Sequence, residues 1–295
     1  MYHKVDLSQK SHSNNWDLNS VEGLPEGNIL DLSAVGITDP LSCRVRTGRN
    51  LQKYPLPGGM SRQDRIDMEK DLQVVFDALV ADKERFGGDY YTLTPGHPKK
   101  MDNAKFKELV DAHIMYKDMT TTKTLNTAGV AADWPYGRGC YVSEDKGFII
   151  WVGEEDHLRI MAMKKTLVLN EVFDRLKAAI DMIEEKIPGG CIKHPEFGVV
   201  TSCPTNCGTG MRASVLIKIP NLTKGGSEKH AIELLKPYGL AVRGMMGEHT
   251  PIGPDGTVDI SPKARFCITE AEILAALYKG VKTVWEEEQK AGGSQ

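Results

Sequence analysis

Two apolar β-type runs separated by only four residues constrain the fold of this chain more than any other feature. Gly139–Val142 and Gly147–Val152 flank the polar segment Ser143–Lys146. A parallel crossover needs about a dozen residues or more, whereas a few residues suffice for a hairpin. We therefore predict that the two runs pair antiparallel, which excludes an all-parallel βαβ architecture.

The remaining apolar segments are short. Segments with the two-residue period of a strand and segments with the spacing of a helix follow one another irregularly. Alternation and β-branched composition predict further strands at Val199–Cys203, Ala213–Ile219, Leu240–Arg243 and Val258–Ser261. Helical spacing predicts amphipathic helices over Ser61–Arg85, Ala104–Tyr116, Lys165–Lys186 and Thr269–Gln289. Thr269 and Glu272 are spaced as a capping box at the start of the last helix. The predicted fold class is α+β, with a largely antiparallel β-sheet flanked by helices.

The composition is that of a globular protein. Of 295 residues, 40% are hydrophobic and 26% charged, and 37 basic against 40 acidic side chains give a net charge of -3. Such a balance provides no broad electrostatic attraction to nucleic acid or to an anionic membrane. We therefore expect no nucleic-acid partner and no membrane partner, and any anion binding should be local.

The six cysteines are scattered without a C-x-x-C pair. This spacing favours neither a zinc site nor a disulfide framework and predicts a reducing, cytoplasmic location. Residues 1–28 are polar and lack periodicity, which is typical of a tail or an extended arm. The simplest organisation is this arm followed by one domain over residues 29–291.

Arginines form the first candidate for a functional site. Arg44 and Arg46 are two residues apart in a β-type segment, so their side chains would share one face of a strand. Guanidinium groups bind phosphate bidentately and stay charged, and such a pair suits a polyphosphate. The alternative is a solvated edge strand.

A second candidate is the acidic segment at the end of the strand Gly147–Val152. Glu154, Glu155 and Asp156 follow this apolar run directly, and His157 and Arg159 come next. Acidic runs are usually solvated loops. The position of these three acidic residues at the end of a buried strand instead indicates that their side chains face a functional site.

Two loops complete the set of candidates. Cys203 stands before a turn rich in Pro, Asn and Gly that ends at Arg212, where free backbone N–H groups and nearby arginines would favour an anion and a thiolate. A half-buried structural cysteine is the alternative. The segment Arg243–Pro251 combines glycines with Glu248, which is typical of a lid that closes over a substrate, although a plain surface loop has the same composition.

Together these segments resemble the phosphagen kinases, the arginine and creatine kinase family. The resemblance lies in Cys203-Pro204-Thr205-Asn206-x-Gly208-Thr209, in Trp151-Val152-x-Glu154-Glu155-Asp156-His157-Leu158-Arg159 and in Arg243-Gly244-x-x-Gly247-Glu248-His249-Thr250. The last of these is similar to the mobile loop of the arginine kinase branch. The motifs stand in the family's order between about Asp31 and Ala291.

The resemblance implies a fold of the guanidino kinase catalytic-domain type and a set of residue roles. The nucleotide phosphates would be bound by Arg44, Arg46, Arg159, Arg212 and Arg243. Glu155 and Glu248 would clamp a guanidinium, with Cys203 as a thiolate beside its non-transferred nitrogen. MgATP or MgADP would be a substrate, with Mg²⁺ held through the phosphates and no other cofactor.

The sequence departs from the family pattern in several places. Only 43 residues precede Arg44, so most of the family's helical N-terminal domain is expected to be absent. Gly153 stands where asparagine is usual, Val142 and Leu216 replace histidines near the nucleotide, and Cys207 replaces a leucine. Cys43 replaces a Ser or Thr. Loss of the two histidines predicts weaker nucleotide binding.

Three functions follow from these observations. The first is reversible transfer of the γ-phosphoryl group of MgATP to a small, arginine-like guanidine. The second is a weak or inactive homologue that serves as a structural component of a larger assembly such as a ciliary axoneme, docking through residues 1–28. The third is a kinase of arginine within proteins. The sequence leaves open the guanidine, the activity and whether the chain forms a homo-oligomer.

Overall fold

The computed structural model describes residues 14–224, 226–244 and 252–293. Its helices are α1 (Arg62–Ala81), α2 (Asn103–Asp111), α3 (Lys123–Thr127), α4 (Asn170–Lys186), α5 (Lys229–Leu235) and α6 (Glu270–Gly293). Its strands are β1 (Leu41–Arg49), β2 (Gly88–Thr92), β3 (Gly139–Ser143), β4 (Phe148–Val152), β5 (Leu158–Thr166), β6 (Lys193–His194), β7 (Gly198–Val199), β8 (Met211–Lys218), β9 (Leu240–Arg243) and β10 (Thr257–Pro262).

The strands form an eight-stranded sheet in the order β2-β3-β4-β5-β1-β8-β10-β9, and β6 and β7 form a separate pair. The pairs β2–β3, β3–β4, β4–β5, β8–β10 and β9–β10 are antiparallel. The hairpin predicted from the four-residue gap is confirmed, because Gly139 pairs with Val152 and Val142 with Ile149. The predicted α+β class with a largely antiparallel sheet is confirmed as well.

The chain divides into two compact units. The terminal unit comprises the described parts of Met1–Val45, Met163–Asp174 and Met211–Gln295, and the central unit comprises Arg46–Ala162 and Arg175–Gly210. The strands β1 and β5 each contribute residues to both units.

Helix α1 supplies much of the apolar core of the central unit. It buries Met68, Leu72, Val75, Phe76 and Leu79, and the Phe76 ring stacks on Tyr90 with centroids 4.2 Å apart. Val80, which follows Leu79 directly, is 39% exposed. Polar residues take the place of apolar ones on part of the buried face: Glu69 is buried and accepts hydrogen bonds from the hydroxyls of Tyr90 and Thr94.

In the terminal unit, α6 begins with the predicted capping box. The Thr269 amide donates to the Glu272 carboxylate at 2.7 Å, and the Glu272 amide donates to the Thr269 hydroxyl at 3.2 Å. The described part of the predicted arm packs on the same unit. The ring of Trp16 lies 4.8 Å from that of Phe173, and Leu18 is buried.

The prediction of a helix from Lys165 was wrong by five residues, because α4 begins at Asn170. Lys165 and Thr166 belong to β5, in which Ile160 and Ala162 alternate with less buried residues. The side chain of Asn170 accepts from the Leu30 amide at 2.8 Å and donates to the Asn28 carbonyl at 3.0 Å. These partners are distant in sequence, so helical spacing alone did not reveal where the strand ends.

The predicted strand Val199–Cys203 was also wrong beyond its first residue. Strand β7 ends at Val199; Gly198–Val199 pairs with Lys193–His194 and forms bridges to Gly208. The Ser202 amide donates to the side chain of Asp156 instead of to a neighbouring strand. The end of the second predicted helix differs too, since α2 stops at Asp111 and His113 has a positive φ of 58°.

Within the described ranges, no helix combines the length and apolar character that spanning a bilayer requires. Among the same residues, no group of three or more His, Cys, Asp and Glu side chains is arranged to hold a metal ion.

Candidate active site

One face of the sheet in the terminal unit carries a cluster of arginines around a buried carboxylate. In the antiparallel pairs of β10, Asp259 stands opposite Arg243 on β9 and opposite Leu216 on β8. Side chains of directly opposed residues project from the same face, and residues two apart share that face. Arg212, four residues before Leu216, therefore lies on it as well.

Arg212 makes two side-chain hydrogen bonds within this cluster. Its Nη2 donates to Asp259 Oδ1 at 3.3 Å and to the Ser261 hydroxyl at 3.2 Å, and its side chain is 11% exposed. Its Nε is buried without a hydrogen-bond partner. Nε is therefore closed to a ligand, whereas Asp259 and Ser261 hold Nη2 and leave the two N–H donors of Nη1 for an anion.

Arg44 belongs to the same electrostatic cluster. Burial lowers the pKa of Arg44, the charge of Asp259 raises it, and the charge of Arg212 lowers it again. On β1, half-buried Arg44 and Arg46 alternate with buried Cys43, Val45 and Thr47. The predicted same-face arrangement of Arg44 and Arg46 is confirmed.

The central unit holds the acidic segment between β4 and β5. Arg159 Nη2 lies 2.9 Å from Glu154 Oε2 and 3.1 Å from Glu155 Oε2, and all three side chains are less than one third exposed. Arg159 also lies over the Trp151 ring, 5.7 Å from its centroid. The acidic residues therefore form a half-buried ion-pair cluster and are not a solvated loop.

Burial raises the pKa of Glu155, and Arg159 opposes this shift while Glu154 and Asp156 add to it. Arg46 lies near enough to lower the pKa as well. A carboxylate with a raised pKa is a stronger proton acceptor than an ordinary one, which suits it to remove a proton from a substrate.

The raised pKa of Glu155 predicts a pH-dependent effect on stability. A carboxyl group with a higher pKa in the folded than in the unfolded chain destabilises the fold where it is ionised, and this effect disappears below the unfolded pKa. We expect Glu155→Gln to be at least as stable as the unmodified chain at pH 8, and to lose this advantage at pH 4, below the ordinary glutamate pKa of about 4.3. Urea unfolding at both pH values measures it, with exposed Glu144→Gln as control. A lower free energy of unfolding for Glu155→Gln at pH 8 would contradict this expectation.

Cys203 lies at the start of a short helical turn, Pro204–Asn206, in the central unit. Its Sγ is 3.0 Å from the Thr205 hydroxyl, and its carbonyl accepts from the Thr201 hydroxyl at 2.8 Å. Three other cysteines, Cys43, Cys140 and Cys191, are buried, and burial raises the pKa of each of these thiols to about 12. Those three are neutral thiols in the interior, whereas Cys203 is half-exposed.

The positions that depart from the family pattern lie in distinct surroundings. Leu216 faces the arginine cluster opposite Asp259. Val142 lines a cavity of about 300 Å³ formed with residues of β2 and α2. Gly153 has a φ of 69°, and a Cβ there would clash with the Gly137 carbonyl, so this backbone does not accommodate the asparagine that is usual at this position.

The structure thus places the predicted residues in two groups. Arg44, Arg212 and Arg243 lie in the terminal unit, and Arg46, Glu155, Arg159 and Cys203 lie in the central unit. Glu248 and most of the predicted lid lie outside the described residues. Sequence reasoning gave no role to Asp259, although a charged residue between Val258 and Ile260 in an apolar strand was a usable signal.

Comparison with known proteins is consistent across sequence and structure. The family model described as ATP:guanido phosphotransferase, C-terminal catalytic domain, matches residues 67–291. The chain is 38% identical to arginine kinase Oct f 2 of Amphioctopus fangsiao over 287 residues. This alignment covers 97% of this chain and 76% of that protein. It is also 37% identical to the arginine kinase of Anthopleura japonica over 252 residues. This second alignment covers 85% of this chain and 33% of that protein.

Solved structures of two kinases superpose on nearly the whole chain. The duplicated taurocyamine kinase of Schistosoma mansoni, solved with bound transition-state-analogue components, superposes with a TM-score of 0.79 at 32% identity, over 98% of this chain and 37% of that one. A lombricine kinase superposes with a TM-score of 0.79 at 28% identity, over 97% of this chain and 73% of that one. The chain thus spans about a third of the Anthopleura and Schistosoma proteins. Because the family model covers most of the chain and the octopus kinase aligns along nearly all of it, the chain belongs to the ATP:guanido phosphotransferases, the phosphagen kinases.

Proposed function

We propose that the chain transfers the γ-phosphoryl group of MgATP reversibly to a guanidinium nitrogen of a small, arginine-like substrate. Family membership supports the reaction class. The choice of an arginine-like guanidine is supported by relatives named arginine kinase, such as that of Limulus polyphemus at 35% identity over 288 residues. The taurocyamine kinase of Schistosoma mansoni is 39% identical over 273 residues, so the guanidine has to be identified by experiment.

The single observation that carries the proposal is the contact between Glu155 and a guanidinium. Glu155 Oε2 lies 3.1 Å from Nη2 of Arg159. The group that the substrate would present is chemically the same, and a half-buried carboxylate with a raised pKa both attracts a planar cation and accepts its proton. Cys203 and Glu248 would complete this recognition.

The arginines would act on the nucleotide. Arg44, Arg46, Arg159, Arg212 and Arg243 would bind the phosphates that carry Mg²⁺, and would stabilise the charge on the equatorial oxygens in a loose transition state. Transfer of this kind requires positioning and electrostatic stabilisation, and no covalent intermediate with the protein. Mg²⁺ would enter with the nucleotide.

The decisive experiment joins a binding assay to an activity screen. Calorimetry with MgADP should show saturable binding, and absence of binding at millimolar nucleotide would contradict the kinase proposal. An ATP-consumption screen over arginine, creatine, taurocyamine and a protein substrate then identifies the acceptor. Turnover with arginine is the expected result, and turnover only with the protein substrate would replace the small guanidine by arginine in proteins.

Leu216 offers a prediction on nucleotide affinity. Because its side chain shares a face with Arg212 and Asp259, Leu216→His places a donor on the proposed nucleotide side. We expect MgADP to bind about 2- to 10-fold more tightly, the effect of one added neutral hydrogen bond. Calorimetry checks this, with Ile232→His on α5 as a control for the presence of a histidine. Equal or weaker binding by Leu216→His would show that this position does not contact the nucleotide.

A further inference from the structure

Asn50, the residue directly after β1, makes an unusually complete set of hydrogen bonds in the central unit. Its side chain is 0% exposed. Nδ2 donates to Asp156 Oδ1 at 2.7 Å and to the Val200 carbonyl at 3.1 Å, and Oδ1 accepts from the His157 amide at 2.8 Å. One amide group thus connects the end of β1 to the acidic segment and to the segment before Cys203.

Asp156 is the centre of this network. It is 2% exposed, and the same Oδ1 that accepts from Asn50 also accepts from the Ser202 amide at 2.7 Å. A Cβ at position 48 would lie 2.5 Å from Asp156 Oδ2. Gly48 therefore permits the close approach of the carboxyl group to β1.

His157 fixes the other side of the network. Its Nδ1 accepts from the Leu51 amide at 2.9 Å, and its Nε2 lies 2.8 Å from the Pro55 carbonyl. Burial lowers the pKa of His157 to about 4, so the ring is neutral at pH 7. With Nδ1 as acceptor, Nε2 carries the proton and donates to Pro55, and both ring nitrogens are satisfied.

This network lies one residue away from two groups of the proposed active site. Glu155 directly precedes Asp156, and Cys203 directly follows Ser202. We propose that Asn50 is a positioning residue, which fixes Glu155 and Cys203 relative to each other through Asp156. The role in catalysis rests on the proposed function, whereas the mechanical link between the two segments is independent of it.

The physical reason is the sensitivity of positional catalysis to small displacements. Asn50 holds Asp156 Oδ1 at the point where the Ser202 amide reaches it, and removal of that support lets the two segments move independently. A displacement of about 1 Å at a reacting group can reduce a rate about 100-fold. Asn50 itself need not touch a substrate to have such an effect.

Kinetics of Asn50→Ala test the catalytic consequence. We expect kcat to fall about 10- to 100-fold, while KM for MgATP changes less than about 2-fold, a change of about 0.4 kcal/mol. Asn50→Asp keeps the shape and the acceptor for the His157 amide but cannot donate to Asp156, so it should be as slow as Asn50→Ala. Asn50→Ser replaces the side-chain amide, which makes three hydrogen bonds, by a single hydroxyl. This milder variant should show a kcat between those of Asn50→Ala and the unmodified chain.

Amide hydrogen exchange tests the mechanical link without any need for turnover. In Asn50→Ala and Asn50→Ser we expect faster exchange in the peptides covering residues 153–157 and 200–206, by about 10-fold where one charge-assisted hydrogen bond is lost. Asn170→Ala is the matched control, because Asn170 also accepts from one backbone amide and donates to one carbonyl, in the terminal unit. It should leave both peptides unchanged.

Two outcomes would overturn the proposal. One is unchanged exchange in both peptides in Asn50→Ser, or in Asn50→Ala if that variant folds. The other is a kcat within about 2-fold of the Asn170→Ala control. If the unmodified chain shows no turnover with any guanidine, the proposed function fails, and the exchange experiment still decides whether Asn50 links the two segments.

Discussion

Glu155→Gln should lower the rate of phosphoryl transfer about 10²- to 10⁴-fold, the range expected for loss of a positioned general base. Glutamine has the size of glutamate but no charge to attract a guanidinium and no basic oxygen to accept its proton. Glu154 remains 2.9 Å from Arg159, so the ion-pair cluster keeps a carboxylate. The loss is therefore expected in the chemical step and not in the fold.

The measurement is steady-state transfer with the guanidine found in the activity screen, together with MgADP calorimetry and circular dichroism. MgADP affinity should stay within about 2-fold, because Glu154 remains 2.9 Å from Arg159 and keeps this proposed phosphate-binding arginine in place. Exposed Glu144→Gln, in the β3–β4 turn, controls for the charge change. A rate for Glu155→Gln close to that of this control would remove Glu155 from the mechanism.

Arg212→Ala should weaken MgADP binding about 10- to 100-fold, as expected for a lost charge-assisted hydrogen bond worth about 1.5–3 kcal/mol. Asp259 and Ser261 hold the Arg212 guanidinium through Nη2, which leaves the donors on Nη1 for a phosphate. Removal of the fork deprives the phosphates of a preorganised partner and leaves Asp259 with one fewer cation.

Lys218→Ala is the matched control for Arg212→Ala, because Lys218 lies at the other end of β8 and is 69% exposed. Arg212→Lys keeps the charge but loses the planar fork, so its affinity should fall between the two. MgADP affinity of Arg212→Ala within about 2-fold of Lys218→Ala would show that Arg212 is only a structural partner of Asp259. Circular dichroism and thermal unfolding separate loss of binding from loss of fold.

Local features were predictable where neighbouring residues fix the conformation. The β3–β4 hairpin follows from a four-residue connection, and the capping box of α6 follows from Thr269 and Glu272. Strand Leu240–Arg243 has the predicted bounds. Where partners lie far along the chain, prediction failed: β5 was partly assigned to a helix, and the segment up to Cys203 was assigned to a strand although Ser202 bonds to Asp156.

The candidate site shows the same division. Motif order identified the family, and the alternation of Arg44 and Arg46 on one strand was predicted correctly. Residue type did not reveal that Arg49, Arg65 and Arg138 are core residues, each no more than 1% exposed. Nor did it indicate Asn50, whose hydrogen-bond partners Asp156 and His157 are more than 100 residues away in the chain.

By itself, the sequence determined the reaction family, the antiparallel fold class and the presence of the charged groups, because motifs and short connections are properties of neighbouring residues. Only the tertiary structure decided which arginine is held by which carboxylate, which cysteines are buried as neutral thiols, and how Asp156 joins the acidic segment to the Cys203 turn. These properties depend on desolvation and on distances of about 3 Å between groups far apart in the chain, and such distances arise only when the chain has folded.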